Sequence, residues 1–444
     1  MSRAETQPYL ERFRRLEPSA AEPTWLHGMR DAAIERFAEF GFPSPRLEDW
    51  KYTSVRSIAT SDFGGAPPAR NPFSKRDVAF SLGGDFHGRI LAFADGRYAP
   101  ELSTIEALPE GVIAESLATA LAGRPACIEP HLGRVATWDA PEDAFVALNT
   151  AFLGDGAFVY LPRGAVVEAP IGLVFLGLRN GAAPISQPRI LIVAEAGSRA
   201  TIVESYAGCG PDAYLTNAVT EVVVGAGASI DHVKLQCESG SAFHVSALQA
   251  QQSRDSRFAS HAISLGAALA RNDVNARIDD AGAEAVLNGL FVASAAQHVD
   301  NHTEIDHAKP HSQSRELYKG ILAGRAHGVF NGKIIVRPDA QNTHAQQAND
   351  NLLMSEDARI NSKPELMIHA DDVKCSHGST IGYLDESALF YLRSRGISAV
   401  EAREFMMRAF ASEVTRAIGS APVRTRVDEL VTARLARGAP LEIA

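Results

Sequence analysis

A thiol and an imidazole stand two residues apart in HADDVKCSHGST, residues 369 to 380. In an extended chain alternate residues share a face, so Cys375 and His377 would project together, about 7 Å apart along the strand. A thiolate and an imidazole suit soft or borderline metals such as iron and zinc. Asp371 has the same parity but lies farther off. Two donors do not close a coordination sphere, and a partner supplying the remaining ligands would make up the shortfall. The plainer alternative is a buried cysteine and a hydrogen-bonded histidine near a turn at Gly378.

A second cluster, QHVDNHTEIDHAKPH, sets His298, His302, His307 and His311 beside Asp300, Glu304 and Asp306. His298, Asp300 and His302 would share one face of a strand, which makes His298 and His302 secondary metal candidates. Pro310 and the changed parity after Ile305 divide the four histidines into two pairs. Hydrogen-bonded structural histidines at coil corners are the competing reading.

Other chemistries find little support. The cysteines Cys127, Cys209, Cys237 and Cys375 form no C-x-x-C pair, so spacing reveals no local zinc or iron–sulfur site. They are also too few and scattered for a disulfide framework, which fits a reduced, cytoplasmic setting. Neither a Walker A loop nor a G-x-S-x-G elbow occurs, and GAGAS at 225 to 229 is not followed by the helix a dinucleotide site needs. The arginines at 12, 14, 15, 424, 426, 434 and 437 sit among acids and read as solvated faces. With 43 basic and 53 acidic residues among 444, the net charge of −10 argues against a nucleic-acid partner. No apolar run approaches the length of a membrane span, and the first residues lack the apolar core of a secretory signal.

The elements that must carry the candidates change character along the chain. Leu26, Met29, Ala33, Phe37 and Phe40 recur at helical steps after a cap at Thr24, with Gly41 and Pro43 as the stop. Residues 61 to 72 are rich in Gly and Pro, as in a linker, and 78 to 110 are mixed. From about Asp155, short β-favouring runs such as RILIVAE and TEVVVGAG follow one another for some two hundred residues. Small-residue corners recur at Gly164, Gly197, Gly227 and Gly282, with an irregular interval before the last. Stacked coils of a β-solenoid explain this texture better than a β-sandwich.

After Ile381 the pattern reverts to helix. Asp385 caps a first helix that stops at Gly396, and Ser398 with Glu401 forms a capping box for a second. One face of the second gathers Ala402, Phe405, Met406, Ala409, Phe410, Val414, Ala417 and Ile418. That stripe is either core or a docking surface on a cap that closes the solenoid.

RLEDWKYTSVR at 46 to 56, H-x-D-x-x-T-x-x-D-H at 298 to 307, SRELYKGIL at 314 to 322 and KCSHGSTIGYLDESALFYLRSRGIS at 374 to 398 together resemble the SufB/SufD family of the Suf iron–sulfur cluster assembly machinery, on its SufD branch. The resemblance spans nearly the whole chain. It implies a mainly β protein: a right-handed parallel β-helix over 151 to 380, helical regions at 1 to 60 and 381 to 444, and an entry region at 61 to 150. It further implies a non-enzymatic scaffold that pairs with SufB through the β-helix, or with a second copy of itself when isolated. Cys375 and His377 would then lie at the SufB interface, where a nascent cluster or iron is held transiently and shared, with none stably bound by this chain alone. The C-terminal helices would dock the ATPase SufC through Phe390, Tyr391, Phe405, Met406, Ala409, Phe410 and Val414. SufB carries a cysteine where this chain has Leu392, which favours the SufD role. A β-helix enzyme acting on carbohydrate is the alternative from another class.

Overall fold

The computed structural model describes residues 3–16, 22–61, 63, 73–104, 106–177, 184–208 and 213–438. Most of the linker reading at 61 to 72, and Cys209, fall outside them. The chain is a parallel β-solenoid of about seven turns between two sets of helices. Each turn contributes one strand to each of two ten-stranded sheets. The strand Ile90–Ala94 already belongs to one of them, pairing in parallel with Ile171–Gly177, so the sheet takes in part of the region that sequence left mixed.

In-register stacking holds the coils together. Ser229–Cys237, Arg257–Ser264, Glu284–Ala293, Gln313–Leu322, Thr343–Leu353 and Val373–Gly382 pair successively in parallel on one sheet. Leu215–Val224, Phe243–Gln252, Leu269–Ile278, His298–His307, His327–Val336 and Arg359–Ile368 do the same on the other. Between the sheets, inward positions of successive coils lie over one another. Phe93, Phe175 and Tyr206 form an aromatic ladder with ring centroids 4.8 and 5.0 Å apart.

One corner of the coil explains the irregular glycine spacing. Gly164, Gly197, Gly227, Asp255, Gly282, His311 and Asn342 all adopt positive φ, between 54° and 77°. Each donates its backbone N–H to the coil above, Gly164 to Ala196 O, Gly227 to Arg254 O, Asp255 to Ala281 O and Asn342 to Asp372 O among them. Asp255 is the missing member between Gly227 and Gly282: short polar side chains tolerate the left-handed region, so the column continues without a glycine. Gly324 belongs to a second corner, with Ala267 and Ala295 at φ 67° and 53°.

The outer faces are covered differently. Thr24–Phe40 and Ala144–Ala151 bury Ala33, Ile34, Phe37, Phe145 and Leu148 against Leu215, Val245 and Leu269 of what we term the N-sheet. The first helix is capped by Pro23 rather than Thr24, and Met29 and Phe40 are only half buried. Ala399–Thr415 and Ala421–Arg437 pack Ala411, Val414, Val427 and Leu430 on Val233, Leu235, Ile263 and Leu290 of the other, the C-sheet. Arg434 corrects the expectation of a solvated face. Its guanidinium is fully buried and donates to Leu265 O at 3.0 Å and Gln297 Oε1 at 2.7 Å, pinning the last helix to the solenoid. No helix among the described residues is long and apolar enough to cross a membrane.

The interior also holds polar groups. Glu204 accepts from Tyr206 at 2.9 Å and Thr220 at 2.8 Å and faces His232 at 3.0 Å. Burial pushes the neighbouring Lys234 down to about 8. Glu316 is equally enclosed but its hydrogen-bond partners among the described residues are the neutral Thr303 and Gln347, and burial pushes it up to about 7.

Two stability outcomes follow from these placements. A Cβ at Gly282 would stand 2.1 Å from Asp255 Oδ1 at a φ of +77°, so Gly282→Val should cost about 2 kcal/mol or more, read as a lower urea midpoint. Asn342→Gly, which removes a side chain from the same left-handed geometry, should change stability by less than about 1 kcal/mol. For Glu316 the folded carboxyl holds its proton above its ordinary value of 4.5, so stability is lost as pH rises from there through about 7. Glu316→Gln should therefore gain on the wild type over that range and level off above it at about 3 kcal/mol, measured by denaturation across pH 4 to pH 8.

Candidate functional site

The strand Val373–Gly382 ends the C-sheet: one edge pairs with Thr343–Leu353 and no described strand pairs with the other. Cys375 lies opposite Ala345 and His377 opposite Gln347. Both belong to the inward-facing set, because Ser379, of the same parity, bonds across the coil from Oγ to Ser362 Oγ at 2.8 Å. In a middle coil such positions would be sealed. Here no further coil follows, so Cys375 is half buried against Val336, Ala340, Ala345 and Ala370, while His377 is exposed. Partial burial raises the Cys375 thiol above its ordinary value, with the Ala345 backbone opposing. No hydrogen bond to the His377 ring occurs among the described residues. Asp371 precedes the strand, exposed in the turn.

The structure thus places the sulfur and the imidazole in the mouth of the last coil, rather than sideways on its outer wall. Among the described residues no group of three or more His, Cys, Asp or Glu side chains is gathered for a metal ion. Two donors at an open mouth can hold part of a coordination sphere and leave the rest to another molecule. Residues that sequence reasoning passed over surround them: Gln347 beneath His377, Glu316 beneath Gln347, and Ser362 and Ser379 beside them. Their signal was the interval of about thirty residues between Glu316, Gln347 and His377, legible only once the coil length was known.

His298 and His302 do share a face, as their alternation implied, but that face is the middle of the outer wall of the N-sheet, under the N-terminal segment. Thr53 Oγ1 lies 2.7 Å from His298 Nε2 and donates to Asp300 Oδ2 at 2.5 Å. Asp300 also takes Arg271 at 2.7 Å and His302 at 3.1 Å. Burial alone would raise the Asp300 carboxyl, yet His302 and Arg271 hold it well below the usual range. Burial pushes His298 down to about 4. Trp50 stacks 3.7 Å from the Arg271 guanidinium, which donates to Asp49 O at 2.7 Å. The tryptophan segment and the histidine-rich strand, read separately in the sequence, are two halves of one clasp. Of the other histidines, His307 bonds inward to Ser312 and Ser314, and His311 is a corner residue.

The C-terminal helices Glu386–Ser394 and Ala399–Thr415 begin as their caps foretold: Asp385 accepts from Ser387 N, and Ser398 with Glu401 closes a capping box. Their apolar stripe divides. Phe390, Tyr391 and Phe405 are 73%, 57% and 59% exposed, and Ala409 is exposed beside them. Met406 is half buried against Leu389 and Ala402. Phe410 is half buried, with the Lys319 ammonium 4.3 Å from its ring. Val414 is fully buried on the C-sheet, so it is withdrawn from any docking face: helical periodicity turns it toward the solenoid with Ala411 and Ile418.

Comparison with known proteins agrees with this architecture. Residues 178–410 match the family described as SUF system FeS cluster assembly, SufBD core domain, and residues 4–173 match the SufBD protein N-terminal region. The chain is similar to an iron–sulfur cluster assembly SufBD family protein of Synechocystis, 32% identical over 94% of this chain and 92% of the relative. It is similar as well to the iron–sulfur cluster assembly protein SufD of Escherichia coli, 29% identical over 94% and 95%, and to that of Bacillus subtilis, 27% identical over 92% and 93%. Through matches to both regions over nearly its full length, the chain belongs to the SufB/SufD family of the SUF iron–sulfur cluster assembly system.

Proposed function

We propose that this protein is a non-enzymatic scaffold of iron–sulfur cluster assembly, contributing Cys375 and His377 as part of a ligand set completed by a SufB-type partner at the open end of the solenoid. Iron or a nascent cluster is cargo there, held transiently between two chains. The observation that carries the reading is the position of both donors on the terminal coil, where one strand edge is unpaired among the described residues and two ligands are incomplete. The neighbouring edge, Arg359–Ile368, carries Pro364 between Lys363 and Glu365, features that discourage strand addition. From Cys375 to Gly382 the other edge has neither charge nor proline, so a partner strand adds there with least penalty.

Docking of a SufC-type ATPase is assigned to the exposed half of the helical stripe: Phe390, Tyr391, Phe405 and Ala409, with Met406 and Phe410 at its margin. Apolar side chains exposed this far in a cluster mark an interaction surface. Binding of ATP to the docked subunits would act on the mouth only through differential affinity for two arrangements of the assembly. Family membership favours this reading over a carbohydrate-active β-helix enzyme.

Cys375→Ala with His377→Ala should fold and co-purify with its partners but lower cluster delivery by about tenfold or more in cells that depend on this pathway, assayed through a cluster-dependent enzyme. Undiminished delivery would remove the assigned role. Phe390→Asp with Phe405→Asp should abolish co-purification with the ATPase while leaving the circular dichroism spectrum intact. Val414→Asp, by contrast, should destabilise the chain by about 3 kcal/mol or more and lose the spectrum itself.

A further inference from the structure

Inward-facing residues of three successive coils stand in one column at the open end. Glu316 is in register with Gln347, and Gln347 with His377. At the base, Glu316 Oε1 accepts from Thr303 and Oε2 accepts from Gln347 Nε2 at 2.8 Å. That bond orients the amide and commits its nitrogen downward. The amide oxygen, Oε1, is buried without a hydrogen-bond partner among the described residues, in a side chain whose residue is only 3% exposed. A buried carbonyl oxygen left unpaired costs roughly 1 to 3 kcal/mol, so its retention calls for a donor that is present in some state of the protein. Above it in the column lies His377. Gly332, on the facing sheet, leaves the room: a Cβ there would stand 2.3 Å from Gln347 Nε2.

We propose that Gln347 is a positioning residue for His377, its Oε1 accepting the proton-bearing ring nitrogen so that the other nitrogen faces the mouth with its lone pair free for iron. Glu316 and Thr303 hold the amide in the orientation that makes this possible. The inference rests on the reading of His377 as a donor and adds what selects its tautomer. Histidines that ligate metals characteristically donate their second ring N–H to a carbonyl or carboxylate behind them, and loss of such a partner typically costs about 10- to 100-fold in affinity or activity. The carboxyl here acts one step removed, through an amide, which keeps a negative charge out of direct contact with the imidazole.

The test uses the full chain with ¹⁵N-labelled histidine rings, the His377 signal being identified by its loss in His377→Gln. At pH 8.5 the wild type should show His377 as one dominant neutral tautomer, and Gln347→Leu should return it to the mixture of a free imidazole. Should Gln347→Leu fail to fold, Gly332→Ala displaces the amide without removing it and should have the same effect. A free-imidazole mixture in the wild type, or a single tautomer unchanged in the variants, would overturn the proposal. In pathway-dependent cells Gln347→Leu should lower cluster delivery about tenfold, and adding it to His377→Ala should cause no further loss; an additive loss would equally overturn it. If His377→Ala leaves delivery intact while Gln347 still fixes the tautomer, the positioning stands and the donor reading fails.

Discussion

A parallel β-helix satisfies the backbone of each coil by pairing it with the coils on either side, and that condition cannot be met at its ends. Seven corner residues pass N–H bonds upward as far as Asp372, and the stack then stops on Val373–Gly382, one edge of which meets no described strand. The proposed function follows from this geometry. Inward positions that would be sealed in any middle coil are open in the last, so the same alternation that builds a core elsewhere displays Cys375 and His377 at a mouth. In the function proposed above, a site assembled this way holds part of a ligand set, and whatever covers the end supplies the rest.

Lateral support is provided by helices rather than by further sheets, packed through apolar clusters on both sides, and the N-sheet carries an added clasp from the N-terminal segment. On the N-sheet the clasp is polar and charged: Thr53, Trp50 and Asp49 engage Asp300, Arg271 and His298, with Arg271 also paired to Asp273 at 2.8 Å. On the C-sheet the apolar packing is joined by polar links through Arg434, through Ser294 to Gly438 O at 2.7 Å and through Lys319 to Glu413 at 2.5 Å. Lys319 lies 3.7 Å from Asp350, which accepts from Thr380 at 2.6 Å on the terminal strand. A continuous polar path therefore joins the helix Ala399–Thr415 to the strand Val373–Gly382. Buried charges of this kind are costly to leave unpaired, so the helices and the solenoid are bound to each other's geometry.

The family's sequence signatures separate into those that build the frame and those that equip its end. Trp50 and Asp300 belong to the first group, since each is buried and bonded to the other's neighbours. Cys375 and His377 belong to the second, half buried and exposed respectively on the terminal coil. The same division runs through the C-terminal stripe, where Val414 and Ala411 are frame and Phe390 and Phe405 are surface.

By itself the sequence determined what depends on near neighbours. Alternation put Cys375 with His377 and His298 with His302 on common faces; small-residue corners announced a solenoid; Asp385, Ser398 and Glu401 announced two helices. Local rules suffice because strand parity, left-handed corners and helix caps are set within a few residues. Only the tertiary structure decided which side of each face meets solvent. It turned His298 toward Thr53, sent Arg434 inside, buried Val414 while leaving Phe405 exposed, and set Gln347 beneath His377 from thirty residues away. Those outcomes are contacts between coils and between helix and sheet, and a periodicity fixes the direction of a side chain without naming what stands opposite it.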